Sequence, residues 1–325
     1  MPFLLDAKIV IAITSSAVFD MRAEDIIFRR DGEEAYRRFQ SENVNEPLKI
    51  GVAFPFVRRL LHLNSIYVDE QPFEVIVLSR NDPDSGRRFF RSCQHYGLKI
   101  SRGAFLTGGL LYPYISAFNA SLFLSANRDD VTKAIEAGLP AGLVLPTTYQ
   151  DDANDKQLRI AFDFDGVIAD DESETVYNTT RQVAAFHQYE MERHLTPHQP
   201  GPLADLFQRL GRFQRLERQK AMADKSYQQA LRIAIVTARD APANERVVTT
   251  LKTWDVEVDE VFFLGGIEKH RILKVLNPHI FFDDQMGHLS AASGLTPSIH
   301  VPFGIANLQR KNEDAPAVQH DEGHE

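Results

Sequence analysis

Two aspartates separated by one phenylalanine end an apolar run in the second half of the chain. Asp163 and Asp165 follow the run LRIAF, and Gly166 comes next. Alternate side chains share a face only while a strand stays extended, so at its end the second carboxylate can swing over the first. Gly166 permits the sharp turn this requires. We predict Asp163 as a nucleophile and Asp165 as the group that gives and takes protons; a plain acidic turn is the alternative.

A hydroxyl residue closes another apolar run farther along the chain. Thr237 ends the run LRIAIVT and is followed by Ala238 and Arg239. The threonine hydroxyl and the backbone N–H groups after it can donate hydrogen bonds to phosphate oxygens. These three residues are therefore predicted to bind a phosphate group, and the alternative is that Thr237 or Asp240 caps a helix.

A lysine lies at the front of a predicted helix, just after a Leu-Gly-Gly sequence. A cation in the first turn of a helix opposes the helix dipole, so the position of Lys269 needs an explanation. Pairing with a bound phosphate and with the carboxylate of Asp163 supplies one. An ordinary surface lysine is the alternative, and Lys274 is a second candidate more than one turn deeper in the helix.

Two adjacent aspartates close a third apolar run, Ile-Phe-Phe. Burying the carboxylates of Asp283 and Asp284 side by side is costly unless a cation is near them. Magnesium prefers oxygen ligands of this kind and keeps several waters. The sequence therefore predicts a Mg²⁺ site whose protein ligands come from Asp163, Asp165, Asp283 and Asp284.

The elements that must position these residues are strands and helices in alternation. Short apolar runs that end in polar or glycine residues occur at 158–165, 231–239, 258–266 and 278–285, with helical stretches between them. This pattern is typical of a parallel sheet buried on both faces. Such sheets bind ligands beyond the carboxyl ends of their strands. All the polar residues described above fall at those ends.

The first half of the chain repeats this order of runs. Shifts of 149 and 158 residues align Thr14 with Asp163 and Ser79 with Thr237. The first-half counterparts of the charged site residues are all uncharged; they are Thr14, Ser16, Leu111, Ser125 and Ala126. We predict an α/β fold of tandem Rossmann-like halves with parallel sheets, in which only the second half holds a catalytic metal. Two unrelated α/β halves in phase are the alternative.

The predicted domain organisation follows from this repeat. Residues 1–150 form a first half that serves as a scaffold, and residues 151–309 form the catalytic half. A small helical cap is expected at about 171–227, and residues 310–325 read as a flexible tail. The polar run 79–81 lies at a strand end, where it would contact substrate or hold an effector nucleotide; a turn before a capped helix is the alternative.

The four elements DxD, Thr, Lys and DD, in that order at strand ends, resemble the haloacid dehalogenase superfamily over residues 158 to about 290. The resemblance implies that Asp163 forms an aspartyl-phosphate. It also implies that Asp165 is the general acid/base and a magnesium ligand through its carbonyl. Thr237 and Lys269 would hold the phosphoryl group, and Asp283, with or without Asp284, would complete the metal site.

Longer stretches along both halves are similar to the cytosolic 5′-nucleotidase type I family. They are 12–21, 53–57, 105–109, 170–174 and 281–285. The resemblance implies Mg²⁺-dependent hydrolysis of nucleoside 5′-monophosphates. The first motif reads FDFDGV, whereas animal members carry a form near FDGDAV, so the base preference is left open. A phosphatase for another small metabolite, and a nucleotide-binding regulator without activity, are the alternatives.

Composition narrows the remaining choices. The chain has 325 residues and a net charge of −9, and it has no long basic stretch, which argues against a nucleic-acid partner. The sequence contains no run of eighteen apolar residues, so no membrane span is predicted. Cys93 is the single cysteine, which fits a reducing compartment and a cytoplasmic location. A homo-oligomer is left open.

Overall fold

The computed structural model describes residues 4–307. Within that range the strands are β1 (Ile9–Ile13), β2 (Phe19–Asp20), β3 (Lys49–Ile50), β4 (Phe73–Ser79), β5 (Arg102–Phe105), β6 (Ala120–Ser125), β7 (Ala141–Val144), β8 (Leu158–Phe162), β9 (Leu231–Thr237), β10 (Glu260–Phe263), β11 (Ile280–Asp283) and β12 (Ser298–His300). Ten of them form one sheet in the order β10-β9-β8-β11-β12-β7-β6-β1-β4-β5. The other two, β2 and β3, pair with each other.

Helices cover the sheet. They are α1 (Ser15–Val18), α2 (Arg22–Glu42), α3 (Phe54–Ile66), α4 (Pro83–His95), α5 (Tyr112–Ala117), α6 (Arg128–Glu136), α7 (Glu172–Thr180), α8 (Val183–Glu192), α9 (Ala204–Ala223), α10 (Asn244–Thr253), α11 (Lys269–Leu276) and α12 (Met286–Ala292). None of these helices in the described part of the chain is both long and apolar enough to span a bilayer. The predicted tail at 310–325 lies outside the described residues.

The two halves of the sheet have the same strand order. The first half has the order β7-β6-β1-β4-β5, and the second half has the order β12-β11-β8-β9-β10. The strands of the two halves therefore correspond one to one, with β1 and β8 at the centres. Within the ten-stranded sheet, pairing inside each half is parallel, and the halves join where β7 and β12 pair antiparallel, through Ile299 with Val144 and His300 with Leu143. This confirms the predicted α/β class with a mostly parallel sheet. The halves share one continuous sheet, because pairing their fifth strands leaves neither strand as an open edge.

Apolar side chains on both faces hold the sheet between its helices. On β8, Ile160 and Phe162 point into one core layer and Ala161 into the other. Phe162 stacks on Phe282 of β11 with ring centroids 5.0 Å apart. Burial on both faces explains why these strands read as continuous apolar runs. The end of each buried run also sets where the strand ends, and therefore where the polar residue that follows it lies.

Hydrogen bonds repeat between the halves at equivalent positions. The carbonyl of Thr237 accepts from Leu264 N at 3.1 Å, and that of Ser79 accepts from Leu106 N at 2.9 Å. The hydroxyl oxygen of Thr237 accepts from the N–H two residues later at 3.2 Å, and that of Ser79 does the same at 3.1 Å. These matches support the predicted correspondence, although the domain boundary near residue 150 stays a prediction.

The helices within the predicted cap at about 171–227 have different surroundings. Helices α7 and α8 pack against each other, and an Ala169–Pro200 bridge lies between the segments that flank them. Helix α9, although within the predicted cap at 171–227, packs on the sheet with Phe207, Leu210 and Phe213 buried. It contacts β9 of one half and β1 and β6 of the other. Its apolar face is therefore part of the core, and only α7 and α8 form what we call the cap.

The first half is well placed to act as a scaffold. Phe213 of α9 packs edge-on against Tyr67 and Phe73 of the first half, with centroids 4.9 and 5.1 Å away. Arg80, after β4, pairs with Asp130. Six strand spacings separate β4 from β8, or about 29 Å, so the Arg80 side chain is too far away to reach a substrate held there. An effector site near Arg80 stays a prediction.

Candidate active site

The predicted nucleophile ends β8, near the middle of the second half's strands. Asp163 is buried; its N–H donates to Phe282 O at 2.8 Å, and its Oδ1 accepts from Phe164 N at 2.7 Å. Its Oδ2 lies 2.6 Å from Nζ of Lys269. Burial raises the pKa of Asp163 to about 6, and the ammonium of Lys269 opposes that rise. The lysine therefore helps to keep the carboxylate charged, as a nucleophile requires.

Lys269 joins two strand ends. It begins α11 and is buried, with Nζ 2.7 Å from Asp283 Oδ2 as well as close to Asp163. Burial alone would lower the pKa of Lys269, but the two carboxylates outweigh it and raise the pKa. Lys274, the second candidate, is exposed on the same helix. The structure thus brings Lys269 to Asp163 as predicted, while its catalytic role stays a prediction.

A tight turn carries the second carboxylate. After Asp163 the chain passes through Asp165 to Gly166, which has a φ of 70° in the left-handed region that favours glycine. A Cβ at Gly166 would lie 2.8 Å from Asp284 Oδ2, so the position also needs glycine for space. Asp165 is only partly buried, and the guanidinium of Arg239 binds both of its oxygens.

The predicted phosphate-binding turn follows β9. Thr237 is buried and its Oγ1 accepts from Arg239 N at 3.2 Å, which leaves the hydroxyl proton free to be donated. Ala238 is exposed at the top of the turn. The side chain of Arg239 is buried, and its guanidinium donates to the carboxylates of Asp165 and Glu190. These contacts argue against direct binding of substrate by the Arg239 side chain.

The two adjacent aspartates have different surroundings. Asp283 accepts hydrogen bonds from Lys269, from Gln285 N at 2.8 Å and from His288 Nδ1 at 3.2 Å. Burial opposes its ionisation, but Lys269 and His288 prevail and lower the pKa of Asp283. Asp284 is equally buried, and neither of its oxygens has a hydrogen-bond partner among residues 4–307. Burial, then Asp283 and Asp163, raise the pKa of Asp284 well above its usual value.

A further carboxylate, not anticipated from the sequence, lies beside this pair. Glu174 of the cap helix α7 accepts from Gln285 Nε2 at 2.9 Å, while its Oε2 has no hydrogen-bond partner within the described residues. Burial, followed by the charges of Asp165 and Asp163, raises the pKa of Glu174 to about 7. The run of acids at 170–174 was a sequence signal for it, but nothing in that run marked which one turns inward.

The unpartnered oxygens fit a divalent cation. Asp284 and Glu174 offer buried oxygens that receive no proton donor from the described residues, and buried carboxylates normally have one. A second cluster, of Asp163, Asp283 and His288, holds ligand atoms within 4.8 Å of one another, but Lys269 already bridges its two aspartates. The oxygen-rich donor set around Asp284 suits a hard cation such as Mg²⁺.

We expect Mg²⁺ to raise the melting temperature more at about pH 8 than at about pH 5.5. Glu174 and Asp284 have raised pKa values in the fold, so without a cation folding loses stability as pH rises from their unfolded pKa values toward the folded ones. A bound cation offsets that loss, and it binds the ionised form. Thermal melts with Mg²⁺ and with EDTA measure the difference, and Glu174→Gln should reduce it. A shift independent of pH would contradict the assignment.

The fold is a mostly parallel α/β sheet of Rossmann-like type, consistent with the haloacid dehalogenase-like class. The 5′-nucleotidase family profile matches residues 1–308, and the chain belongs to that family. The Homo sapiens protein cytosolic 5′-nucleotidase 1B is 35% identical over 293 residues, covering 88% of this chain and 47% of that protein. The chain thus spans about half the length of that relative. No solved structure matches. The family predicted from the sequence is confirmed.

Proposed function

We propose that the protein hydrolyses nucleoside 5′-monophosphates to nucleoside and phosphate. Family membership supports the reaction class, and the name of the relative, cytosolic 5′-nucleotidase 1B, supports the substrate class and a cytoplasmic location. The observation that carries the chemistry is the contact between Lys269 Nζ and Asp163 Oδ2 at 2.6 Å, at a strand end beside carboxylate oxygens that have no hydrogen-bond partner within residues 4–307. It supplies a charged nucleophile beside a fixed cation.

Two steps use the residues at this site. In the first, a carboxylate oxygen of Asp163 attacks phosphorus, the bond to the nucleoside 5′-oxygen breaks, and Asp165 gives that oxygen a proton. In the second, Asp165 takes a proton from water, which attacks the same phosphorus and releases Asp163 and phosphate. Lys269 and the hydroxyl of Thr237 stabilise charge on the phosphoryl oxygens throughout. The N–H group of Ala238 is a further donor, whereas the N–H of Arg239 already donates to Thr237 Oγ1.

A divalent cation, which we propose is Mg²⁺, would be held by Asp163, the Asp165 carbonyl and Asp284. When bound it neutralises negative charge on the phosphoryl group. Asp283 is left to orient Lys269, because its oxygens already accept from Lys269, His288 and Gln285.

We expect nucleoside 5′-monophosphates to be hydrolysed at least about tenfold more efficiently than hexose phosphates, measured as kcat/KM. The assay is a panel of phosphorylated metabolites in Mg²⁺, with release of inorganic phosphate as the readout. EDTA should abolish turnover, and added Mg²⁺ should restore it. Hexose phosphates at the top of the panel would replace the substrate with another metabolite, and binding of nucleotides without turnover would favour a regulator.

A further inference from the structure

Arg239 holds the carboxylate of Asp165 through a two-pronged contact. Its Nε donates to Asp165 Oδ2 at 2.8 Å and its Nη2 donates to Oδ1 at 2.6 Å. The arginine side chain is 2% exposed, so water does not compete with these bonds. A guanidinium bound in this way fixes the plane of a carboxylate as well as its place. Each oxygen keeps a second lone pair that can carry a proton.

The cap supplies the next contact. Arg239 Nη1 donates to Glu190 of α8, whose side chain is fully buried and also accepts from Ser173 of α7 and from Arg246 Nη1 at 3.1 Å. The Arg239 guanidinium also lies over two aromatic rings. One is Phe164 and the other Phe186 of the cap, with centroids 5.4 and 5.5 Å away. Glu190 and Phe186 therefore hold Arg239 from the cap side, and Phe164 contacts it from the catalytic half.

We propose that Arg239 is a positioning residue for Asp165, and that Glu190 of the cap holds Arg239 in place. The inference rests on the proposed function, since it concerns the proton that Asp165 gives to the leaving oxygen. Proton transfer is efficient only when the carboxyl group of Asp165 is oriented toward the leaving oxygen. Because Glu190 of α8 holds Arg239, and Arg239 orients Asp165, efficient proton transfer requires α8 to be packed against the catalytic half. This role replaces direct substrate binding by the Arg239 side chain.

Leaving groups distinguish this role from phosphate binding. The alkoxide of a nucleoside needs a proton as it departs, whereas the p-nitrophenolate of p-nitrophenyl phosphate departs with little help. Both substrates share the phosphoryl group, so a loss of phosphate contacts affects them equally. We compare kcat/KM, because it covers the step in which the leaving group departs and excludes the later, shared hydrolysis of the phospho-enzyme.

For Arg239→Lys we expect kcat/KM with AMP to fall about thirtyfold and that with p-nitrophenyl phosphate to fall less than about threefold. Lysine keeps the positive charge but cannot donate two parallel hydrogen bonds to the two oxygens of Asp165. Glu190→Gln keeps the shape of the side chain and should give the same pattern at about fivefold, which guards against misfolding of the Arg239 variant. Arg246→Lys is the matched control: it is equally buried and binds Glu190, but it does not touch Asp165.

Each outcome bears on a different part of the proposal. Equal losses on both substrates for Arg239→Lys would mean that the arginine binds phosphate or is only structural, and the proposal would be wrong. The same selective loss for Arg246→Lys would show general loosening of the cap and would also overturn the proposal. No effect of Glu190→Gln would overturn the role of the cap. If the wild-type protein hydrolyses neither substrate, the proposed function itself fails.

Discussion

Replacing Asp163 by Asn should lower kcat for the best nucleoside monophosphate by at least about a thousandfold, the scale seen when a covalent nucleophile is removed. An amide oxygen is a poor nucleophile and cannot form the proposed aspartyl-phosphate. The substitution is nearly the same shape, so the buried contacts around the strand end should persist. The measurement is steady-state phosphate release in saturating Mg²⁺, with circular dichroism to show that the variant is folded.

A buried aspartate of the first half provides the matched control. Asp130 is as buried as Asp163 and also pairs with a cation, Arg80, near the strand ends of its half. Because that half is proposed to be a scaffold, Asp130→Asn should keep kcat within about threefold of wild type. Near-normal turnover by Asp163→Asn would disprove the nucleophile, and equal losses in both variants would point to unfolding instead.

The sequence was sufficient to predict what depends on strand ends. Parallel strands place their carboxyl ends along one edge, so residues 106 positions apart, Asp163 and Lys269, could be expected to meet, and they lie 2.6 Å apart. The same reasoning explains the repeated strand order, because buried apolar runs recur at nearly constant shifts. Burial on both faces of a sheet leaves a clear pattern in the sequence.

The features that the sequence did not predict are the directions of side chains and the packing of helices and strands against one another. Arg239 follows a strand end, as a phosphate ligand would, but its side chain turns to Asp165 and Glu190, residues 74 and 49 positions away. Helix α9 has an amphipathic pattern that suits a cap or a core helix equally well, and only tertiary packing decides between them. The pairing of β7 with β12 joins two short strands, each the outermost strand of its own half, and periodicity cannot identify their partners.

Asp284→Asn should lower activity and raise stability, and this opposite pair of effects identifies the metal ligand. As a proposed ligand, Asp284 contributes to several kcal/mol of charge stabilisation, so its loss should cost at least about a hundredfold in kcat/KM at the Mg²⁺ level that saturates wild type. In EDTA the same change removes a carboxyl group whose pKa is raised in the fold. Such a group lowers the free energy of unfolding at any pH above its pKa in the unfolded chain. The melting temperature should therefore rise by about 2–4 °C.

Asp283→Asn is the control for this prediction, since it is the neighbouring residue in the same strand end. Its carboxylate accepts from Lys269 and His288, and its pKa is lowered, so its ionised form stabilises the fold above the unfolded pKa. Removing one partner of a buried ion pair costs about 3–5 kcal/mol. Both variants should lose activity, but Asp283→Asn should melt at a lower temperature in EDTA. If instead Asp284→Asn melts lower and its activity is not restored toward wild type by excess Mg²⁺, while Asp283→Asn melts higher and is restored, Asp283 is the metal ligand and Asp284 the structural partner.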